Sequence, residues 1–68
     1  MFDLHIETDN AAFDGDPLRE VSRILQRVAL KLQDLSPMGP GEGINLPVYD
    51  TNGNRVGGLR LVREDDDV

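Results

Sequence analysis

The 68-residue chain contains no cysteine and no tryptophan, a single histidine, His5, and only three aromatic rings, Phe2, Phe13 and Tyr49. Without thiols there is neither a disulfide to staple a small fold nor a thiolate nucleophile, and one imidazole is too few for a zinc site. No apolar run approaches the ~20 residues of a membrane span, and no basic segment leads into an apolar one as in a secretory leader, so a cytosolic location is expected. His5 has no serine or cysteine partner in a nucleophile motif. The glycines at 39, 41 and 43 lack the Gly-Lys-Ser/Thr ending of a phosphate loop. Neither a cofactor, a metal nor an enzymatic activity is expected.

A chain of this length forms one domain and buries only about 60% of the surface its unfolded form exposes. With no covalent or metal staple, self-association is the remaining source of stabilisation, and a homo-oligomer, first of all a dimer, is expected. The net charge of −6 opposes nonspecific binding to nucleic acid. The charges are unevenly spread. Residues 1–16 hold five acids and no base, residues 17–36 four bases and two acids, and residues 37–68 six acids and three bases. The middle of the chain is a positive band in an acidic protein.

Phe2, Leu4 and Ile6 alternate with Asp3, His5 and Glu7, the period of a strand with one covered face. Thr8 to Asp16 reads as a loop pinned to the core by Phe13. Asp16 before Pro17 starts a helix: the carboxylate accepts from free first-turn amides, and proline lacks the N–H that would be unpaired there. From Pro17 to about Ser36, Leu18, Val21, Ile24, Leu25, Val28, Leu32 and Leu35 mark one helical face. The Pro- and Gly-rich stretch from Ser36 to Gly43 ends the helix as an irregular linker.

Asn52-Gly53 between strand-like runs predicts a two-residue type I′ turn. That register opposes Asp50 to Arg55, Tyr49 to Val56, Leu46 to Leu59 and Ile44 to Leu61. One hairpin face then gathers Ile44, Leu46, Val48, Leu59 and Leu61 against the helix. The other face carries Pro47, Tyr49, Val56 and Val62, a mixed surface suited to an oligomer contact. Gly57 and Gly58 mark a bulge or a close approach of another backbone or a ligand. Asp50, Asn52 and Asn54 have the alternate spacing of a calcium loop, but Arg55 stands where its glycine belongs and Leu61 where its glutamate belongs. A corner with Asp50 paired to Arg55 is the expectation. Residues 64–68 read as an acidic tail, outside a single domain over residues 1–63.

Arg19, Arg23, Arg27 and Lys31 follow at steps of four along the outer side of the helix. Two readings stay open. The row is a solvated face partly neutralised by Glu20 and Asp34, or it is a site for an anion or an acidic partner, joined by Arg60 or by Arg55 or Arg63. Leu30, on the same side, suits a contact surface as readily as plain exposure.

The opening MFDLHIETDNAAF, the helix EVSRILQRVALKL and the closing DTNGNRVG together resemble the small proteins encoded by tailed bacteriophages. The resemblance spans nearly the whole chain and rests on residues 8–13 (TDNAAF) and 50–57 (DTNGNRVG). It transfers no catalytic residue. It implies an accessory role in the host cytoplasm, acting on a host factor or defence system by occupying it. The expected architecture is α+β in the order β-α-β-β, a three-stranded, mostly antiparallel sheet with one helix on one face. The expected function is non-enzymatic binding. A binder of a small nucleotide-like anion and a minor virion or assembly component are the alternatives.

Overall fold

A computed structural model describes residues 1–63, so the acidic tail at 64–68 lies outside the described residues. The architecture is α+β: strand β1 (Phe2–Ile6), a 3-10 turn (Ala11–Phe13), helix α1 (Pro17–Leu35) and strands β2 (Gly43–Tyr49) and β3 (Arg55–Val62). All pairings are antiparallel and β3 is central, in the order β1-β3-β2. The local signals act as expected. Asp16 caps α1 by accepting from the Arg19 N–H, Pro17 opens the first turn, and Ser36 closes the helix.

The inner face of the sheet is built from rows of cross-strand neighbours: Phe2, Leu61 and Ile44; Leu4, Leu59 and Leu46; Ile6, Gly57 and Val48. The core is small. Phe13, Ile24, Val48 and Val56 form its buried cluster, with Leu4, Ile6, Ala12, Val21 and Val28 packed around it. Phe13 pins the loop before α1, as its lone ring suggested.

Three expectations need correction. First, the hairpin tip is a three-residue loop. Gly53 N–H donates to the Asp50 carbonyl (3.1 Å) and Asp50 N–H to the Asn54 carbonyl (2.9 Å). Only Gly53 has positive φ there, at 84°, so Asn52 does not take the conformation a type I′ turn demands. The arrangement is a type I turn closed by a left-handed glycine. Second, the tip therefore pairs Tyr49 with Arg55, and an extra residue, Val56, is inserted before the expected register resumes at Val48 and Gly57. The bulge turns Val56 inward, where it is 5% exposed, so it belongs to the core and not to an oligomer surface. Third, the apolar stripe of α1 is only partly covered. Ile24 is buried, whereas Leu18, Leu25 and Leu35 are 80%, 44% and 41% exposed.

Candidate functional site

Two acidic side chains organise the end of the molecule where α1 begins. Glu20 and Asp50 are buried, and every polar atom they carry is directed at a donor. Arg23 grips Glu20 with two bonds, from Nε to Oε1 (3.0 Å) and from Nη2 to Oε2 (2.8 Å), and the Thr51 N–H donates to Oε2 (2.8 Å). Asp50 Oδ1 accepts from the Asn52 and Asn54 amides at 2.8 and 2.9 Å. Its Oδ2 accepts from the side-chain amides of Asn10 (2.7 Å) and Asn54 (3.3 Å). The loop, the helix and the hairpin tip are thereby clasped together. The Asp50–Arg55 pair expected across the turn does not form: Asp50 is satisfied by these donors, and Arg55 Nε donates instead to the Gly57 carbonyl.

The clasp shifts both acids in the same direction. Arg23 lowers the Glu20 pKa from its ordinary 4.5 against the opposing effect of burial. Burial pushes Asp50 up, but the donors from Asn54, Asn10 and Asn52 together outweigh it and leave its pKa below 3.8. A carboxylate with a depressed folded-state pKa stabilises the fold above its unfolded value and ceases to do so as pH falls through the folded value. The urea midpoint is therefore expected to hold steady above about pH 6 and to decline below about pH 4.5. Glu20→Gln, which keeps an acceptor for Thr51 but no charge, should flatten part of that decline in urea titrations across this range.

The basic row does not act as one surface. Arg23 is committed to Glu20. Arg19 stands exposed at the helix start, and Arg60 lies on the outer face of the sheet between its cross-strand neighbours Asp3 and Asn45. Arg27 and Lys31 do come together. They flank an apolar groove of about 360 Å³ between α1 and β2, floored by Ile24, Val28, Val48 and Leu59 and walled by Leu46, Pro47 and Tyr49. The row thus winds from the side facing away from the sheet onto the β2 flank and does not stay opposite the core. Of the residues assigned to an oligomer surface, Pro47 and Tyr49 line this groove, while Val62 sits half-buried at the far end of β3.

The groove exists because α1 covers the sheet incompletely, leaving the side of Val48 and Leu46 open between helix and strand. Among the described residues both charged groups lining it are cationic, and no acid joins them. Tyr49 is 49% exposed and offers a ring face and a hydroxyl. Sequence reasoning singled out these residues separately but did not bring Arg27 and Lys31 to the hairpin. It also missed Glu20, Asp50 and Asn10 as a clasp, although Asp50 two residues before Asn52 and Glu20 three before Arg23 are the spacings of an Asx-turn and a helical ion pair. Among the described residues no helix is long and apolar enough to cross a membrane, and no cluster of three potential metal ligands occurs. No protein-family model, curated protein or solved structure matches this chain.

Proposed function

We propose that the protein is a non-enzymatic phage accessory protein that acts in the host cytoplasm by occupying a partner, as a homo-oligomer. The observation that carries the reading is the groove between α1 and β2, apolar at its floor, whose charged lining among the described residues is Arg27 and Lys31. Such a site takes an acidic segment that also carries apolar side chains: the greasy part displaces water from Val28 and Val48, and the carboxylates meet the two cations at the rim. Arg60 and Arg19 lie outside it and add only to the long-range field.

Double charge reversal, Arg27→Glu with Lys31→Glu, is the test. Both side chains are exposed, so the thermal midpoint should stay within a few degrees of wild type while affinity for a captured host protein falls at least about tenfold. Retention of affinity would sink the groove reading. The groove volume and the Tyr49 ring also suit a small planar anion. Calorimetry with a nucleotide panel separates the two, because heat that vanishes in the double variant would move the function to a small ligand.

A further inference from the structure

Among the described residues the sheet has two open edges, β1 and β2, and they are built differently. The Val62 N–H donates to the Met1 carbonyl (3.0 Å) and the Glu7 N–H to the Val56 carbonyl (2.7 Å). Because the bonds of an antiparallel ladder alternate, the odd-numbered residues of β1 bond to β3. Phe2, Leu4 and Ile6 therefore turn their N–H and C=O groups to the open edge. On the other side, the Arg63 N–H donates to the Glu42 carbonyl (3.0 Å), so Ile44, Leu46 and Val48 bond inward and Asn45, Pro47 and Tyr49 face out. Pro47 has no N–H to offer, which blunts the β2 edge. The β1 edge carries neither proline nor bulge.

We infer that β1 pairs antiparallel with β1 of a second copy of this chain, about a two-fold axis at Leu4. This register opposes Leu4 to Leu4 and Phe2 to Ile6, and each of these pairs exchanges both of its N–H···O bonds. On the outer face it sets Asp3 against His5 of the other copy, a carboxylate facing an imidazole, twice by symmetry. Shifting the register by two residues either way loses a bonded pair. One shift opposes Asp3 to Asp3, and the other opposes His5 to His5 and Asp3 to Glu7; like charges directly opposite one another are destabilising. The charge pattern of a five-residue strand thus selects one register, and that register is self-complementary.

Apolar surface next to the edge fits the same pairing. Leu18 and Leu25 project roughly 100° around α1 from Ile24, on the flank away from Arg27 and Lys31, which stand beside β2, whereas Leu32 closes on Ile44 of β2 and Leu61 of β3. Phe2, at the start of β1, is 47% exposed on the inner face of the sheet, where its cross-strand neighbour is Leu61. The two-fold axis sets each Phe2 beside Ile6 of the other copy and covers part of its ring. In the resulting six-stranded sheet the two grooves lie at opposite ends, so one dimer engages two partner segments.

The assignment rests on the homo-oligomer reading but not on what fills the groove, and amide hydrogen exchange on the wild-type protein tests it. In an isolated protomer the His5 and Glu7 amides are protected while those of Leu4 and Ile6 exchange freely. In the dimer Leu4 and Ile6 are slowed as well, at least about tenfold, and lose that protection on dilution. A dimer by sedimentation with freely exchanging Leu4 and Ile6 would overturn this interface and leave the homo-oligomer reading intact; a monomer at hundreds of micromolar would overturn both. His5 is exposed, faces Gly58 across the sheet and lies 3.5 Å (Nε2 to Oε2) from Glu7 of its own strand; an exposed contact of this kind contributes little to stability, so replacing His5 leaves the fold alone. His5→Asp should weaken dimerisation about tenfold or more, whereas His5→Lys should preserve it. Equal behaviour of the two variants would refute the Asp3–His5 pairing.

Discussion

Replacing Gly57 with alanine is expected to detach β1 from the sheet. A β-carbon at this position would overlap the His5 carbonyl oxygen and stand 2.7 Å from the His5 carbonyl carbon and 3.1 Å from Ile6 Cα. All three atoms are backbone, so no rotamer change relieves the collision. Gly57 is the partner of Ile6 on one side and Val48 on the other, directly after the Val56 bulge. The bulge bends β3 and brings the two backbones close. We expect a loss of at least about 3 kcal/mol in urea unfolding, at or beyond the upper end of ordinary overpacking. Gly58→Ala is the control: its β-carbon would meet the Leu46 carbonyl oxygen at 3.3 Å and the flexible Arg55 guanidinium at 3.6 Å, and should cost less than about 1 kcal/mol. Equal losses at the two glycines would contradict the close approach.

Phe13→Ala should be comparably severe. The ring is 3% exposed and packs with Ile24, Val48 and Val56, a buried cluster of four side chains among the described residues. Phe-to-Ala changes in a core cost about 3–5 kcal/mol. At roughly 0.05–0.15 kcal/mol per residue, a domain this small has about 3–10 kcal/mol in all. One substitution therefore removes a large fraction of the stability, and thermal unfolding should show a lowered midpoint or no cooperative transition. Leu30→Ala, at a side chain 64% exposed on the far side of the helix, should change stability by less than about 0.5 kcal/mol. The two residues are similarly apolar, and their different weights come from burial alone.

Helix α1 was legible because its signals are local: Asp16 and Pro17 at the start, apolar spacing along its length, and proline and glycine after it. Strand β1 was legible through its alternation. Most of the hairpin register was too, since a one-residue slip would have turned Leu46 and Leu59 outward. The tip was misread because Asn-Gly is a type I′ signal only when both residues take positive φ. Here the Asp50 carboxylate captures the Asn52 and Asn54 amides and favours the three-residue loop. That choice shifted the pairing at the tip, inserted the bulge and moved Val56 from the outer face to the core.

The candidate site was legible only in pieces. Arg27, Lys31, Pro47 and Tyr49 were each singled out as surface residues, but their meeting in one groove depends on how far the sheet covers the helix. The row of four bases also looked uniform from spacing alone, while Glu20, drawn in by the Thr51 amide from 31 residues away, takes Arg23 out of it.

Composition and short-range pattern by themselves determined the element types, their order, the helix caps and the inner faces of β1 and the hairpin, because each depends on neighbours within a few residues. Tertiary structure alone decided which leucines of α1 are covered, that Val56 is core, that Asp50 and Glu20 clasp three segments, and that one sheet edge is blunted and the other open. Those outcomes turn on contacts between segments tens of residues apart, where small differences in backbone path decide which polar group finds a donor and which apolar group stays exposed.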